Sequence, residues 1–247
     1  MIQAHRQRLF DVTPIQVSIS KTLRDQDRTV EMIQRGYKNS KGFWVPGPLA
    51  WLWHCTETFD PHYLDKGLSS PHRAFPRLPY MQWLFTEMLT EPVIFFPKSR
   101  EMMLSWAVIG YCTWMCQIFP GTQVLVQSQK LDKSSELVKG TEPPGYAYTL
   151  YSRQEQWLKD RFPLAMRPAD LPADNLVWKN GSEIKALGKG ADQIRLYHPT
   201  IVMMDEAGFM DEAEASFGAA TPVAKQILVV SSASPGWFGT ICSEESG

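Results

Sequence analysis

The segment Ile201-Val202-Met203-Met204-Asp205-Glu206 places four consecutive apolar residues directly before two adjacent carboxylates. A continuous apolar run of this length predicts a β-strand that is buried on both faces. Because carboxylates are rarely buried without a partner, Asp205 and Glu206 should emerge where the strand ends, at the carboxyl edge of a sheet. An acidic pair at that edge suits a Mg²⁺ site and the orientation of a water molecule. The alternative is a core strand followed by a helix that one of the acids caps.

The composition is that of an ordinary globular protein, with 247 residues, of which 44% are hydrophobic and 21% are charged. This length is sufficient for one large domain or two small ones. The net charge of −1 gives no global basic field for nucleic acid, so any such contact must be local. Cys112 and Cys116 are spaced for core packing, which predicts a reduced intracellular protein. No apolar run suggests a signal peptide or a membrane partner.

Strand and helix patterns alternate along the second half of the chain, and an exposed amphipathic helix is predicted at about residues 14–37. Such alternation implies a mostly parallel sheet that is covered by helices on both faces. Asn180-Gly181 predicts a hairpin turn between two short strands. The main predicted strands are residues 92–96, 123–126, 200–204 and 226–231, and the main predicted helices are residues 49–55, 81–89, 102–118, 131–138, 150–162 and 213–220.

A second informative segment, Pro97-Lys98-Ser99-Arg100-Glu101-Met102-Met103-Leu104-Ser105, lies between a predicted strand and a buried helix. Free backbone N–H groups at the start of such a helix favour phosphate binding. Aligned on Ser105 with the phosphate-loop pattern G-x-x-x-x-G-K-[ST], the chain has Met103 and Leu104 where Gly-Lys would stand. Lys98 and Arg100 nevertheless supply cations at the front of the loop. The alternative is an ordinary strand–helix turn with solvated basic residues.

Two further segments carry polar side chains close to predicted strands. The strand at residues 226–231 ends in Ser231-Ser232-Ala233-Ser234, whose hydroxyls can bond to a catalytic water or to the acidic pair. The alternative is a serine cluster that begins a loop. Pro79-Tyr80-Met81-Gln82 precedes the first strand, and the Gln82 amide can both donate and accept hydrogen bonds at an adenine edge. A surface glutamine at the start of a helix is the alternative there.

In this order and spacing, the segments resemble the ATPase domain of the large terminase subunit of tailed double-stranded-DNA bacteriophages. Pro79-Tyr80-Met81-Gln82 matches the adenine motif, and residues 98–105 match a deviant Walker A motif. The opening strand with its two carboxylates matches Walker B, and residues 231–234 match the coupling motif. The resemblance implies an α/β P-loop NTPase fold of the ASCE or RecA-like type, with a mostly parallel central sheet flanked by helices. It assigns residues 43–247 to the ATPase domain and residues 1–42 to a small N-terminal helical extension or lid.

The resemblance also implies ATP and Mg²⁺ as cofactors and a role for each matched residue. Some family members place the Walker A lysine at the front of the loop, as Lys98 is here, so Lys98 and Arg100 would contact the β- and γ-phosphates. Ser105 and Asp205 would hold Mg²⁺, and Glu206 would orient and activate the attacking water. The predicted nucleotide-binding set is completed by Gln82, Ser99, Glu101, Met102, Met103 and Leu104.

Two departures from the family pattern lead to further expectations. Because the Cβ of Met103 disfavours positive φ, the loop should wrap phosphates less closely and ATP should bind weakly. The chain shows no acidic cluster of the kind that forms the family's nuclease domain, so DNA cleavage is not expected. The arginine finger or sensor is sought among Arg153, Arg161 and Arg195.

As for partners, the resemblance implies a motor that drives double-stranded DNA into a viral procapsid, with the portal and the small terminase subunit. It implies a homo-oligomeric ring when assembled, a monomer when isolated, and a location in the host cytoplasm and transiently on the portal. DNA contacts near residues 185–189 should weaken with salt. Two alternatives stay open: a helicase-like nucleic-acid ATPase, and a structural protein with a catalytically degenerate P-loop fold.

Overall fold

A computed structural model describes residues 23–99 and 102–243 of the chain. The chain divides into two compact units, Met1–Thr90 and Glu91–Gly247. The boundary expected after residue 42 stays a prediction. Arg100 and Glu101, both members of the predicted phosphate loop, lie outside the described residues, as does the beginning of the helix predicted at residues 14–37.

The first unit combines helices with short antiparallel strand pairs. The helices predicted at residues 49–55 and 81–89 are confirmed. The predicted amphipathic helix is helical from Leu23 to Arg35, but its predicted last residue, Tyr37, begins a strand. The elements of this unit are α1 (Leu23–Arg35), β1 (Tyr37–Lys38), β2 (Trp44–Val45), α2 (Gly47–Cys55), β3 (Glu57–Phe59), β4 (His72–Ala74) and α3 (Met81–Thr90). Strand β1 pairs with β2, and strand β3 pairs with β4.

Helix α2 carries a histidine whose titration is coupled to the folding of the chain. His54 Nε2 lies 3.0 Å from the hydroxyl oxygen of Tyr37. Burial, aided by the positive charge of Arg77, lowers the pKa of His54 from 6.5 to about 4. The folded chain therefore holds His54 neutral over a pH range in which the unfolded chain protonates it.

Because of His54, we expect the chain to lose stability at acid pH. The free energy that neutral His54 contributes to folding is fully present above pH 6.5 and is lost as the pH falls towards about 4, since the pKa of His54 is lower in the folded chain. The loss should be about 1 to 2 kcal/mol, a figure reduced because water still reaches part of the ring. Urea unfolding of the chain at several pH values should show a shallower acid slope for His54→Gln. The exposed His62→Gln variant should keep the wild-type slope, and identical slopes for all three proteins would contradict the assignment.

The second unit is built around a six-stranded β-sheet. Its strands are β5 (Val93–Lys98), β6 (Gln123–Gln127), β7 (Asn175–Val177), β8 (Glu183–Leu187), β9 (Ile201–Asp205) and β10 (Gln226–Ser232). They lie in the order β5-β10-β9-β6-β8-β7. All neighbours are parallel except β7 and β8, which form the predicted hairpin around Asn180-Gly181. The mostly parallel sheet inferred from the strand–helix alternation is thereby confirmed.

Strand β10 separates the strand that leads into the phosphate loop from the strand that ends in the acidic pair. Ser232 of β10 lies beside Lys98 of β5, and Val230 lies beside Asp205 of β9. The four apolar residues of β9 are buried, as predicted, whereas Asp205, which was expected to emerge, is its buried last residue. Among the described strands, β5 forms one edge of the sheet, with Pro97 beside Ser231. The arrangement is that of an α/β P-loop NTPase, and it brings the carboxyl ends of three strands to one place.

Helices cover this sheet. Helix α4 (Leu104–Ile118) and helix α5 (Leu131–Leu137) begin and end close to the predicted positions. The single helix predicted at residues 150–162 is wrong, because two helices flank a break there. Gln154 at the break is buried and forms a reciprocal amide pair with Gln117 of α4, at 2.7 and 3.0 Å. The helices are α4 (Leu104–Ile118), α5 (Leu131–Leu137), α6 (Tyr146–Ser152), α7 (Gln156–Arg161), α8 (Ala191–Arg195), α9 (Ala213–Ala220) and α10 (Trp237–Cys242).

The two cysteines of α4 lie in the core, which confirms their predicted packing role. Cys112 and Cys116 are buried free thiols, and burial raises the pKa of both. Within the described part of the chain, no helix combines the length and the apolar character that crossing a bilayer requires.

Candidate active site

Four polar side chains from the predicted motifs meet where β5 and β9 end and α4 begins. Lys98 Nζ donates to Ser105 Oγ at 3.0 Å, and Ser105 Oγ donates to Asp205 Oδ1 at 2.9 Å. The same ammonium lies 2.9 Å from Glu206 Oε1 and 3.9 Å from Asp205 Oδ1. The structure thus brings the cation and the hydroxyl of one segment together with the two carboxylates of another, 100 residues further along the chain from Ser105 to Asp205.

The electrostatics of this cluster are dominated by the burial of Asp205. Burial raises the pKa of Asp205, and the neighbouring Glu206 charge raises it as well. The Lys98 ammonium and the Ser105 hydroxyl act in the opposite direction, yet the pKa remains above its usual value. Because a nearby cation favours the ionised carboxylate, Asp205 is a group whose charge depends on the cation beside it.

The backbone is strained at two residues of the site. Met103 has φ 54° and Glu206 has φ 53°, and in the described residues they are the two residues other than glycine with positive φ. The expectation that the Met103 Cβ would keep this residue out of positive φ is therefore wrong. Met103 precedes the first residue of α4 in a left-handed conformation, which costs about 1 to 2 kcal/mol in a residue with a side chain. The weak ATP binding inferred from that expectation stays a prediction.

A cavity of about 820 Å³ opens onto this cluster, a volume in the range of small-molecule sites. Its walls include most of the described residues that the motifs predicted. They also include four side chains that the motifs did not predict. The predicted wall residues are Lys98, Ser99, Met102, Met103, Leu104, Ser105, Glu206, Ser232 and Ala233, and the additional ones are Trp106, Gln129, Tyr146 and Phe209.

Two of the additional residues, Trp106 and Tyr146, contact each other. Tyr146 packs face to face on Trp106, with ring centroids 4.0 Å apart and an angle of 6° between the planes. Trp106 directly follows Ser105, which is a signal that sequence reasoning could have used. Tyr146 follows a loop rich in proline and glycine, and no local pattern marks it.

Ser231 near the end of β10 and Ser234 just beyond it hold the backbone after the acidic pair through hydrogen bonds. The Gly208 N–H donates to Ser231 Oγ at 2.9 Å, and Ser234 Oγ donates to the Gly208 carbonyl oxygen at 2.7 Å. Two hydroxyls of the predicted coupling motif therefore hold a single residue, two positions after Glu206. The coupling role itself stays a prediction, but the contact gives it a physical path.

Gly208→Ala is expected to break the hydrogen bonds that Ser231 and Ser234 form with Gly208. An added Cβ would lie 2.9 Å from both Ser231 Oγ and Ser234 Cβ, so the two segments must separate. Such overpacking costs about 1 to 3 kcal/mol, and the shift should also displace Glu206. Thermal unfolding measures this loss of stability.

Gly218→Ala is the matched control for this change. A Cβ at Gly218 in α9 meets nothing within 4 Å. Because alanine favours an exposed helix over glycine by up to about 1 kcal/mol, this variant should be neutral or more stable. Equal behaviour of the two variants would show that the contact at Gly208 has no particular importance.

The oxygen atoms of Ser105 and Asp205 fit a magnesium ion. They are hard donors 2.9 Å apart, and Mg²⁺ is typically bound by one or two protein groups together with water and substrate phosphates. Among the described residues there is no group of three or more His, Cys, Asp or Glu side chains that could hold a metal. The site therefore suits an ion that arrives with a nucleotide better than a closed structural metal.

Other predicted residues are not placed at this cluster. Gln82 belongs to α3 of the first unit, where its amide donates to the Trp44 carbonyl oxygen, so adenine recognition stays a prediction. Arg195 pairs with Asp192 at 2.9 Å, and the arginine finger or sensor sought among Arg153, Arg161 and Arg195 stays a prediction. In the predicted DNA-contact segment, Lys185 donates to Tyr197 at 3.2 Å and Lys189 to Asp211 at 3.5 Å.

Comparison with known proteins gives fold-level similarity only. The sequence matches no protein-family profile and no curated protein. Among solved structures, the large terminase of bacteriophage HK97 is similar at a TM-score of 0.50 and 13% identity, over 76% of this chain and 37% of that one. The ATPase domain of the large terminase of Thermus phage P74-26 matches at a TM-score of 0.37 and 16% identity, over 59% and 60%. The large terminase of another thermophilic bacteriophage, in complex with ADP, matches at 0.33 and 14%, over 56% and 33%.

These values define what the likeness supports. The HK97 similarity is sufficient to show a shared α/β P-loop NTPase fold, as the motifs implied. The chain spans 37% of the length of that terminase. Activity, partners and assembly of the whole terminase are therefore separate questions for this chain.

Proposed function

We propose that the chain is an ATP-hydrolysing motor domain of a large terminase, which drives double-stranded DNA into a viral procapsid. The observation that carries the proposal is the cluster of Lys98, Ser105, Asp205 and Glu206 at the carboxyl ends of β5 and β9. These are the residue types that phosphoryl transfer needs, and Lys98, Ser105 and Glu206 line a cavity large enough for a nucleotide.

ATP binding requires a rearrangement of one side chain, that of Lys98. Its ammonium lies 2.9 Å from Glu206 and also lines the cavity. A triphosphate in the cavity offers Lys98 a stronger anionic partner, so Lys98 exchanges Glu206 for phosphate oxygens. Ser105 and Asp205 would hold Mg²⁺, which when bound neutralises charge on the phosphates. Binding of the substrate thereby releases the carboxylate that hydrolysis needs.

Hydrolysis then depends on Glu206. Its carboxylate accepts a proton from the attacking water as the water oxygen bonds to the γ-phosphorus, and the bond from that phosphorus to the β,γ-bridging oxygen breaks. ADP and inorganic phosphate are the products. The left-handed backbone at Glu206 aims its side chain at the cavity rather than into the sheet, which supports this role.

The grip of Ser231 and Ser234 on Gly208 supports a transmission role. When Glu206 moves during the hydrolysis cycle, Gly208 moves with it. Two hydrogen bonds then transmit the displacement to Ser231 of β10 and to Ser234 just beyond it. In the proposed motor, this movement reaches double-stranded DNA in a homo-oligomeric ring on the portal, together with the small terminase subunit. The chain would act in the host cytoplasm and transiently on the procapsid.

Phosphate release from ATP by the wild-type chain, compared with Glu206→Gln, tests the catalytic part of this proposal. Hydrolysis that stops in the variant supports it. No hydrolysis and no nucleotide-dependent rise in the melting temperature of the wild type would favour the degenerate structural protein. Unwinding of a short duplex without capsid components would favour the helicase-like ATPase.

A further inference from the structure

Tyr146 lines the cavity, but neither the motifs nor the proposed mechanism assigns it a role. It is the first residue of α6 and lines the cavity together with Ser105 and Glu206. Its ring lies parallel to that of Trp106, which follows Ser105 on the phosphate-loop helix. The stack fixes the plane of the phenol against the helix that would carry the phosphates.

The backbone before Tyr146 is also held in place. The Gly145 N–H donates to the Lys139 carbonyl oxygen at 2.6 Å, and the Tyr148 N–H donates to the Val138 carbonyl oxygen at 3.0 Å. A Cβ at Gly145 would lie 2.6 Å from Val138 backbone, so glycine is required for this approach. Ring and backbone together leave the Tyr146 hydroxyl little freedom of position.

The hydroxyl of Tyr146 is an available donor. Burial raises its pKa, and the carboxylates of Asp205 and Glu136 raise it further, so the phenol keeps its proton at neutral pH. Among the described residues, no group forms a hydrogen bond with this hydroxyl. By contrast, the Tyr151 hydroxyl of the same helix accepts the Leu164 N–H at 3.2 Å.

We infer that the Tyr146 hydroxyl donates a hydrogen bond to the terminal phosphate of a bound nucleoside triphosphate. The inference rests on the proposed function. Three observations on the chain converge on it: a phenol fixed by stacking, a place in the wall of the cavity that Glu206 also lines, and an O–H group with no partner among the described residues. A donor to a charged phosphate oxygen is stronger than a neutral hydrogen bond, so its removal should be measurable.

Tyr146→Phe removes the hydroxyl and keeps the stack on Trp106. Calorimetric titration with a non-hydrolysable ATP analogue in the presence of Mg²⁺ should show about tenfold weaker binding. ADP, which lacks the terminal phosphate, should bind the variant within about twofold of the wild-type affinity. Tyr148→Phe changes the same residue type in the same helix outside the cavity wall and should leave both affinities unchanged.

The outcomes separate this inference from the proposed function. Wild-type chain that binds neither nucleotide would overturn both. Wild-type binding with equal analogue affinity in Tyr146→Phe would overturn only the role of the hydroxyl. Equal losses for the analogue and ADP, or a lower melting temperature of the variant, would assign Tyr146 to the structure of the cavity wall and overturn the contact with the terminal phosphate.

Discussion

Glu206→Gln is expected to lower the rate of ATP hydrolysis about 10²- to 10⁴-fold, the usual contribution of a positioned general base. The glutamine amide keeps the size of the side chain and can still accept a hydrogen bond from Lys98, but it cannot take a proton from water. Nucleotide affinity should therefore change little. Because Glu206 lies just after the carboxyl end of β9 with its side chain 33% exposed, the variant should also fold normally.

Single-turnover phosphate release, paired with titration of an ATP analogue, separates the two effects. Glu214→Gln is the control, since Glu214 is an exposed acid in the first turn of α9 and outside the cavity wall. It should hydrolyse ATP at the wild-type rate. If Glu206→Gln did so too, Glu206 would not be the base and the proposed mechanism would fail at its central step.

Lys98→Ala is expected to remove nucleotide binding and to destabilise the fold by about 3 kcal/mol, the lower end for breaking a buried ion pair. The side chains of Lys98 and Asp205 are only 13% and 11% exposed. Without the ammonium, Asp205 keeps its hydrogen bond to Ser105 but loses the cation that favours its charge. The substitution also removes the side chain that would reach the phosphates.

This loss of stability should depend on pH in a definite direction. Removing Lys98 raises the folded pKa of Asp205 further, since its charge lowers that pKa. A raised folded pKa gives stability that is present at low pH and lost as the pH rises through it. The deficit of Lys98→Ala relative to wild type should therefore shrink as the solution is acidified, because protonated Asp205 needs no cation.

Urea unfolding at neutral and acid pH measures both quantities. Lys133→Ala is the matched control, because Lys133 also pairs with a glutamate at 2.9 Å but with side chains 61% and 55% exposed. Exposed pairs contribute less than about 1 kcal/mol, so this variant should stay close to wild type at every pH. Equal losses for the two lysines would show that the Lys98 cluster contributes no special stability.

The part of the fold that follows from local pattern could be predicted. The apolar residues of β9 are buried, as four consecutive apolar residues require, and Glu206 follows at the carboxyl end of the strand, but Asp205 is buried within it. The helix break near Gln154 could not be predicted, since it depends on a buried amide pair with Gln117, which is distant in sequence. Local pattern therefore sets the elements, while long-range polar contacts set some of their ends.

The candidate site divides in a similar way. Lys98 and Ser105 were identified because they flank a predicted strand–helix junction. The left-handed conformation of Met103 runs against its residue type, so no propensity rule predicts it. Tyr146 enters the site through a ring contact with Trp106, and periodicity carries no information about such a contact.

Pro97 beside Ser231 on β5 has a consequence for how copies of the chain can meet. Sheet edges invite strand addition, and a proline there removes one N–H donor from the row that an incoming strand would need. The proline therefore disfavours pairing of β5 with a strand of a second molecule. In the proposed ring, copies of the chain should therefore join through side-chain surfaces rather than through a shared sheet, which favours reversible assembly over aggregation.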